Sequence, residues 1–356
     1  MMIWSATADG SRVEGCIDGI FIRAGEPVCM ELDTVTLGKT GLQVSELALG
    51  TARFGSERGS GEEEITREEA HALLDSYDEA GGNFLDLADV YGGGSAESYV
   101  GDWLEDRNRD EFVIASKIYW PTRENDPNAQ GLNRKHLRIQ LDNILDRLET
   151  DYLDLLYIHR WDDDTPAREF MRTLNGFVED GRVHYLGASN RDPNAWQVAK
   201  ANEIAKREGW EPFTNTQIIF NLVDRQVEPE FLPMVEDYEM GLMPFSPLAG
   251  GFLTGKYSRN ESPPEDSRGA HEERFREMYL TDENFDVLEV VREVADEYDA
   301  SPVQIALAWL FDHPAVTAPV VGPRTVDQLE ANLDAADLDL SSDAFGRLDE
   351  AAQSPY

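Results

Sequence analysis

The chain has 356 residues, 41% of them hydrophobic, which is enough for a sizeable core and excludes a globally disordered polymer. Acidic residues number 70 against 31 basic, a formal charge of −39, and a surface of that sign repels nucleic acid and anionic membranes. No apolar run reaches the roughly 18 residues of a membrane helix, so no transmembrane segment is expected.

The acids are spread through the amphipathic segments, with only short clusters such as Gly61–Glu64 and Asp162–Asp164, the pattern of a solvated surface. Such a surface suits a cytoplasm of high salt, where screening removes the self-repulsion, and points to a salt-loving source. Both cysteines, Cys16 and Cys29, fall in the first 29 residues, so no disulfide framework or thiolate metal site is expected in the main domain, and a reducing, cytoplasmic setting fits.

Residues 1–29 are Gly-rich and weakly patterned, without the basic start and apolar run of a secretory signal. They are read as an N-terminal extension, either a disordered arm or sequence upstream of a true start at Met30, with residues 30–356 forming one domain. Alternation through Leu32–Val44 around Gly38–Gly41 predicts a β-hairpin. Short apolar runs follow at Leu47–Leu49, Phe84–Leu85, Phe112–Ser116, Leu153–Ile158, Tyr185–Ala188, Thr214–Ile218, Leu242–Phe245 and Val316–Val321, as expected of strands buried on both faces.

Helical patterns lie between them. Leu137, Leu141, Ile144, Leu145 and Leu148 fall on one helix face. Thr66 with Glu69 forms a capping box, and Thr165-Pro166 and Ser301-Pro302 read as an N-cap followed by proline at the first helical position. Eight strand–helix units in series predict an α/β fold, a closed (β/α)8 TIM barrel preceded by the hairpin. An open doubly wound sheet would usually show a GxGxxG turn after its first strand, and none follows Leu49. Two long connections, Tyr119–Leu132 and Ala249–Leu280, follow strand ends and are expected as lids or pocket walls.

A barrel keeps its active site at the C-terminal ends of its strands. Asp86 and Tyr91 follow the second strand, Lys117 ends the third, His159 the fourth, Ser189 and Asn190 the fifth, and Gln217 sits in the sixth. Singly each has an ordinary structural explanation, such as a helix cap, a surface charge or a packed ring; successive strand ends make a shared site the better reading. A tyrosine gives up its proton reluctantly, near pH 10, and a cationic lysine beside it stabilises the phenolate. An aspartate can hold that lysine charged, and a histidine can orient a substrate oxygen. Six scattered histidines show no HxH or HExxH spacing, so no metal is expected. A proton donor without metal or nucleophile calls for a separate hydride source, a nicotinamide.

The stretch Leu37–Ser45 with Leu49-Gly50-Thr51, then Asp86–Gly92 with Ser95–Glu97, Ser116-Lys117, His159-Arg160 and Gly181–Val183 through Gly187–Asn190, in that order, resembles the aldo-keto reductase superfamily, and the likeness runs from Leu37 to Leu348. It implies reduction of an aldehyde or ketone, with Tyr91 as general acid and Lys117, Asp86 and His159 completing a tetrad. It implies that Ser189, Asn190 and Gln217 hold the nicotinamide carboxamide, that Phe245 stacks on its ring, and that Ser246 and Leu248 meet the pyrophosphate. The adenine end is expected at Gly322–Asn332, with Gly322, Arg324, Gln328 and Asn332 as contacts; Thr325 with Gln328 also fits a capping box. Some members carry an arginine where Gln328 stands, directed at a 2′-phosphate. The resemblance favours NADP(H), with NAD(H) open. Phe54, Trp120 and Trp161, with Arg53, follow strand ends; they either line an apolar mouth for a small-molecule carbonyl or alcohol or cap the barrel structurally.

Two rivals remain at this point. One is a non-catalytic nicotinamide-binding regulatory subunit, like the channel β-subunits that resemble the family. The other is a barrel isomerase or lyase using Lys117 as a Schiff-base amine.

Overall fold

The computed structural model describes residues 32–57, 63–190 and 194–352, and the backbone of two short antiparallel strands, β1 (Cys16–Ile17) and β2 (Ile20–Phe21). The expected extension over residues 1–29 otherwise lies outside the described residues.

The hairpin forms as read, from β3 (Thr34–Thr36) and β4 (Gln43–Ser45), paired antiparallel with Val35 opposite Val44. Its turn lies against the bottom of the barrel. A Cβ on Gly38 (φ +52°) would stand 2.4 Å from the Gly241 backbone nitrogen, so only glycine fits that contact. Leu37 and Val44 are buried among Phe84, Val113, Leu155, Tyr157 and Met243, which closes the lower end of the cylinder with apolar side chains.

Eight parallel strands close the cylinder: β5 (Ala48–Gly50), β6 (Phe84–Asp86), β7 (Val113–Ile118), β8 (Leu153–Ile158), β9 (Val183–Asn190), β10 (Phe213–Ile219), β11 (Gly241–Phe245) and β12 (Val320–Val321), with β12 pairing back onto β5. The first seven fall where the apolar runs place them. The eighth is shorter than the expected Val316–Val321. Pro319 has no N–H for the ladder, and the preceding segment touches the barrel only by single bonds such as Thr317 N–H to the Leu242 carbonyl (2.8 Å).

Helices α1 (Arg67–Glu79), α2 (Ser95–Leu104), α3 (Arg134–Leu148), α4 (Ala167–Glu179), α5 (Ala195–Glu208) and α6 (Glu228–Tyr238) follow the first six barrel strands in turn. Thr66 and Glu69 form the expected reciprocal cap, as do Ser301 and Gln304 at the start of a later helix, Pro302–Phe311. The Thr165 cap does not form. Pro166 itself takes the N-cap position of α4, and the Thr165 hydroxyl donates to Asp162 at 2.6 Å. Among the described residues no helix is long and apolar enough to cross a membrane.

Candidate active site

Because all eight strands run the same way, every strand C-terminus emerges at one rim. Asp86 ends β6 beside Gly50, Lys117 stands one residue from the end of β7, His159 follows β8, Gln217 lies in β10 opposite Ser189 of β9, and Phe245 ends β11. Tyr91 stands on the turn that joins β6 to α2. That turn is fixed by close approach: a Cβ on Gly92 (φ +57°) would sit 2.4 Å from the Phe54 carbonyl oxygen, so the chain can press Tyr91 inward only with glycine behind it.

The four polar residues meet. The Lys117 ammonium, wholly buried, donates to Asp86 Oδ2 (2.6 Å), to the Leu87 carbonyl (2.8 Å) and to Tyr91 Oη (3.2 Å). Gln217 Nε2 donates to the other Asp86 oxygen at 2.8 Å. The Tyr91 and His159 rings meet edge to face with centroids 5.9 Å apart. Behind the tetrad, buried Glu97 accepts from Arg147 Nε (2.7 Å) and from the Ser116 hydroxyl, so the strand that carries Lys117 is itself tied to an ion pair.

Burial dominates the electrostatics. It works against the Lys117 charge, but the Asp86 carboxylate and the Tyr91 oxygen outweigh it and hold the ammonium above its ordinary range. Burial also raises Tyr91 above the usual phenol range; Lys117 pulls it back without cancelling that rise. Lys117 therefore lowers the phenol's value, as expected, but by less than burial raises it. His159 is pushed down to about 3, first by burial and then by the Lys117 charge, so it is neutral at ordinary pH.

A cavity of about 650 Å³ opens over this cluster. Asp86, Tyr91, His159, Ser189, Gln217 and Trp120 line one end of it. Phe245, Ser246 and Leu248 line the middle, and Gly322, Arg324, Gln328 and Asn332 the far end. Lys117 does not face the cavity; it reaches Tyr91 from beneath. The Asn190 side chain lies outside the described residues. Both long connections supply walls, one through Trp120 and the other through Gly250, Gly251, Thr254, Lys256 and Arg268.

Some expected residues stand elsewhere or act differently. Phe54 is 1% exposed and packs in the core, and Trp161 sits edge to face on Phe170 (5.2 Å); neither lines the cavity, whereas Arg53, paired with Glu64, does. Thr325 caps the helix Val326–Leu333 by accepting from Gln328 N–H, while the Gln328 side chain accepts from Arg324 N–H (3.0 Å) instead of closing a box on Thr325. Sequence reasoning missed Lys256 and Arg268. Their signal was present: cations inside a Gly- and Pro-rich connection of a strongly acidic chain. Burial first, then the neighbouring Arg324 charge, hold Lys256 below its ordinary range.

The aldo/keto reductase family pattern matches residues 46–353. Over 318 residues the chain is 37% identical to norsolorinic acid reductase stcV of Emericella nidulans, covering 87% of this chain and 79% of that protein. It is 35% identical to a probable voltage-gated potassium channel subunit beta of Oryza sativa, over 85% of this chain and 90% of the relative. It is 31% identical to the uncharacterized oxidoreductase YrpG of Bacillus subtilis, over 90% of this chain and 95% of the relative. With the closed parallel barrel and a match over nearly the whole described domain, the chain belongs to the aldo/keto reductase family of NAD(P)H-dependent oxidoreductases.

Proposed function

We propose that this chain reduces an aldehyde or ketone to an alcohol with NADP(H), Tyr91 serving as the general acid. The observation that carries the reading is the Lys117 ammonium 3.2 Å from Tyr91 Oη while bound to Asp86, beneath a cavity that Tyr91 and His159 both face.

The residues present fit a nicotinamide dinucleotide. Ser189 and Gln217 offer a hydroxyl and an amide oxygen beside Tyr91, Phe245 offers a ring, and Lys256, Arg268 and Arg324 gather positive charge at the other end. Beyond burial, Arg324 lowers the Lys256 value and Asp266 raises it, so the charge at this end is mixed, and a phosphate placed beside the cations gains charge-assisted contacts. Three cations at this end favour NADP(H) over NAD(H) in this reading, although Gln328 stands where some relatives carry an arginine.

When bound, the reduced nicotinamide supplies a hydride to the carbonyl carbon. Tyr91 Oη donates its proton to the carbonyl oxygen, and Lys117, charged and held by Asp86, stabilises the phenolate left behind. Neutral His159 offers one N–H or lone pair to position the oxygen without competing as an acid. Water is kept from Lys117 by complete burial, and its three acceptors leave no free amine for a Schiff base. All four tetrad positions are filled, which favours turnover over the regulatory reading shared with the rice relative.

Titration with NADPH and NADH, read by tryptophan fluorescence, and NADPH oxidation with a panel of small aldehydes test the proposal. Tighter NADPH binding and turnover are expected. Binding without turnover across the panel supports the regulatory reading, and absence of nicotinamide binding removes both.

A further inference from the structure

Trp120, 37% exposed, is the aromatic wall of the cavity mouth. It stands edge to face on His159 (6.2 Å) and on Tyr119 (5.2 Å), and Arg160 lies over its ring (5.7 Å). It rides on the connection from Tyr119 to Leu132. That connection closes on itself at its base, Gly131 N–H donating to the Tyr119 carbonyl at 2.7 Å, and again within, Thr122 N–H to the Ala129 carbonyl at 3.1 Å. Such a loop, with its ends close together, is compact and packs on itself.

The two ends are held differently. Near the start, Gln140 of α3 donates to the Thr122 hydroxyl at 3.1 Å, a neutral bond between side chains. At the far end the holder is a carboxylate. Asp162, 8% exposed, accepts from Leu132 N–H (2.8 Å) with one oxygen and from Asp164 N–H (3.0 Å) with the other, and takes the Thr165 hydroxyl at 2.6 Å. Its neighbour Asp163 accepts from Gln197 of α5 at 3.0 Å. The contact with the loop is tight: a Cβ on Gly131 (φ +76°) would lie 2.6 Å from Asp162 Oδ2. A carboxylate accepting several N–H and O–H bonds stays charged, and its bonds are stronger than neutral ones. Burial works to raise Asp162, but the backbone and Thr165 bonds together outweigh it and hold the carboxyl below its usual range.

We propose that Asp162 is a positioning residue for substrate: it fastens the loop that sets Trp120 over His159, and so fixes how wide an aromatic carbonyl compound the mouth accepts. This rests on the reductase reading above. Asp162 does not line the cavity, so its effect passes through the loop it fastens. Asp162→Asn keeps the side chain's shape but not its two acceptors. Whichever way its amide turns, an NH2 group faces one of the two N–H donors, Leu132 or Asp164.

The test compares the parent, Asp162→Asn, Trp120→Ala and their combination with two substrates: propanal, too small to reach Trp120, and 2-naphthaldehyde, which must pass it. Asp162→Asn is expected to raise KM for 2-naphthaldehyde about tenfold, the scale of one lost apolar contact in a pocket. Its kcat with either aldehyde and its KM for propanal should move less than about twofold. The double variant should be no worse than Trp120→Ala, because both changes remove one interaction. Gly131→Ala, which pushes the same joint apart without altering charge, should give the same split if Asp162→Asn folds poorly. A fall in melting temperature with both KM values unchanged, or equal losses on both aldehydes, overturns the proposal.

A second readout does not depend on turnover. The Trp120 component of acrylamide quenching, obtained by subtracting a Trp120→Phe background, should rise in Asp162→Asn. If the parent protein reduces neither aldehyde, the reductase reading fails and quenching decides the loop alone; unchanged quenching then overturns it.

Discussion

The two ends of the groove are built on different principles. The Tyr91 end is rooted in strands: Asp86, Lys117 and Gln217 are strand residues whose neighbours are set by ladder register, and their charges are buried and mutually satisfied. The Arg324 end is made of loops, where Lys256 and Arg268 come from a connection of some thirty residues and stand nearer solvent. A dry, pre-arranged cluster suits a proton transfer, in which reorganisation is costly. A looser ring of cations suits a polyanion that must enter and leave. One end should therefore govern rate and the other affinity.

The strongest way to break this division is at Tyr91. Tyr91→Phe removes the proton donor and leaves the cations untouched, so kcat should fall about 10³-fold, within the range for lost general acid catalysis. The NADPH dissociation constant, read by fluorescence, should stay within about twofold. A variant that keeps most of its rate would show that the proton comes from another group.

The converse change is Lys256→Ala. Losing one charge-assisted phosphate contact should weaken NADPH binding about tenfold or somewhat more. At saturating cofactor, kcat should be nearly unchanged. If kcat falls as far as affinity, the two ends are not separable and Lys256 takes part in placing the nicotinamide ring.

The same contrast explains what the sequence disclosed. Short apolar runs located seven barrel strands because a strand buried on both faces has little other choice of composition. The polar residue at each strand end then stood out, and the structure brings Asp86, Tyr91, Lys117 and His159 together. Strand spacing carries that information, since parallel neighbours must emerge at one rim. Val316–Val321 misled because apolar composition does not register that Pro319 lacks an N–H. Thr165 misled because the Asp162 carboxylate three residues earlier competes for its hydroxyl, a local side-chain turn that the N-cap reading left out. Phe54 and Trp161 follow strand ends as Trp120 does, and sequence position alone does not say which ring turns inward. Lys256 stood out only as a cation in a Gly- and Pro-rich connection; its place depends on how a long loop folds back.

Salt should separate the surface from the groove. With a formal charge of −39 the folded chain repels itself, and screening relieves that repulsion. Raising KCl from about 0.1 M to about 2 M should raise the melting temperature by several degrees while weakening NADPH binding several-fold, since the cation cluster is screened too. Scanning calorimetry and a titration in the same buffers measure both. If stability falls with salt as affinity does, surface repulsion does not limit the fold.

The smallest expected effect concerns His159, and its sign follows from burial. Its folded value, about 3, lies below the ordinary imidazole value of 6.5, so the unfolded chain binds a proton that the folded chain refuses. The stability tied to His159 is therefore fully present above about pH 6.5 and is lost as pH falls from there toward 3. His136 and His313, both held at about 4 mainly by burial, act in the same sense, so acid unfolding should be accompanied by net proton uptake by these three rings. Catalysis should not share that dependence: while the protein stays folded, His159 remains neutral, and kcat/KM for reduction should change less than about twofold between about pH 5 and 8 on its account. A limb near pH 6.5 that disappears in His159→Gln would mean that the imidazole titrates within the folded site. The barrel rim would then be wetter than its buried charges imply, and the division between a dry end for chemistry and a solvated end for affinity would fail where the dry end meets the cavity.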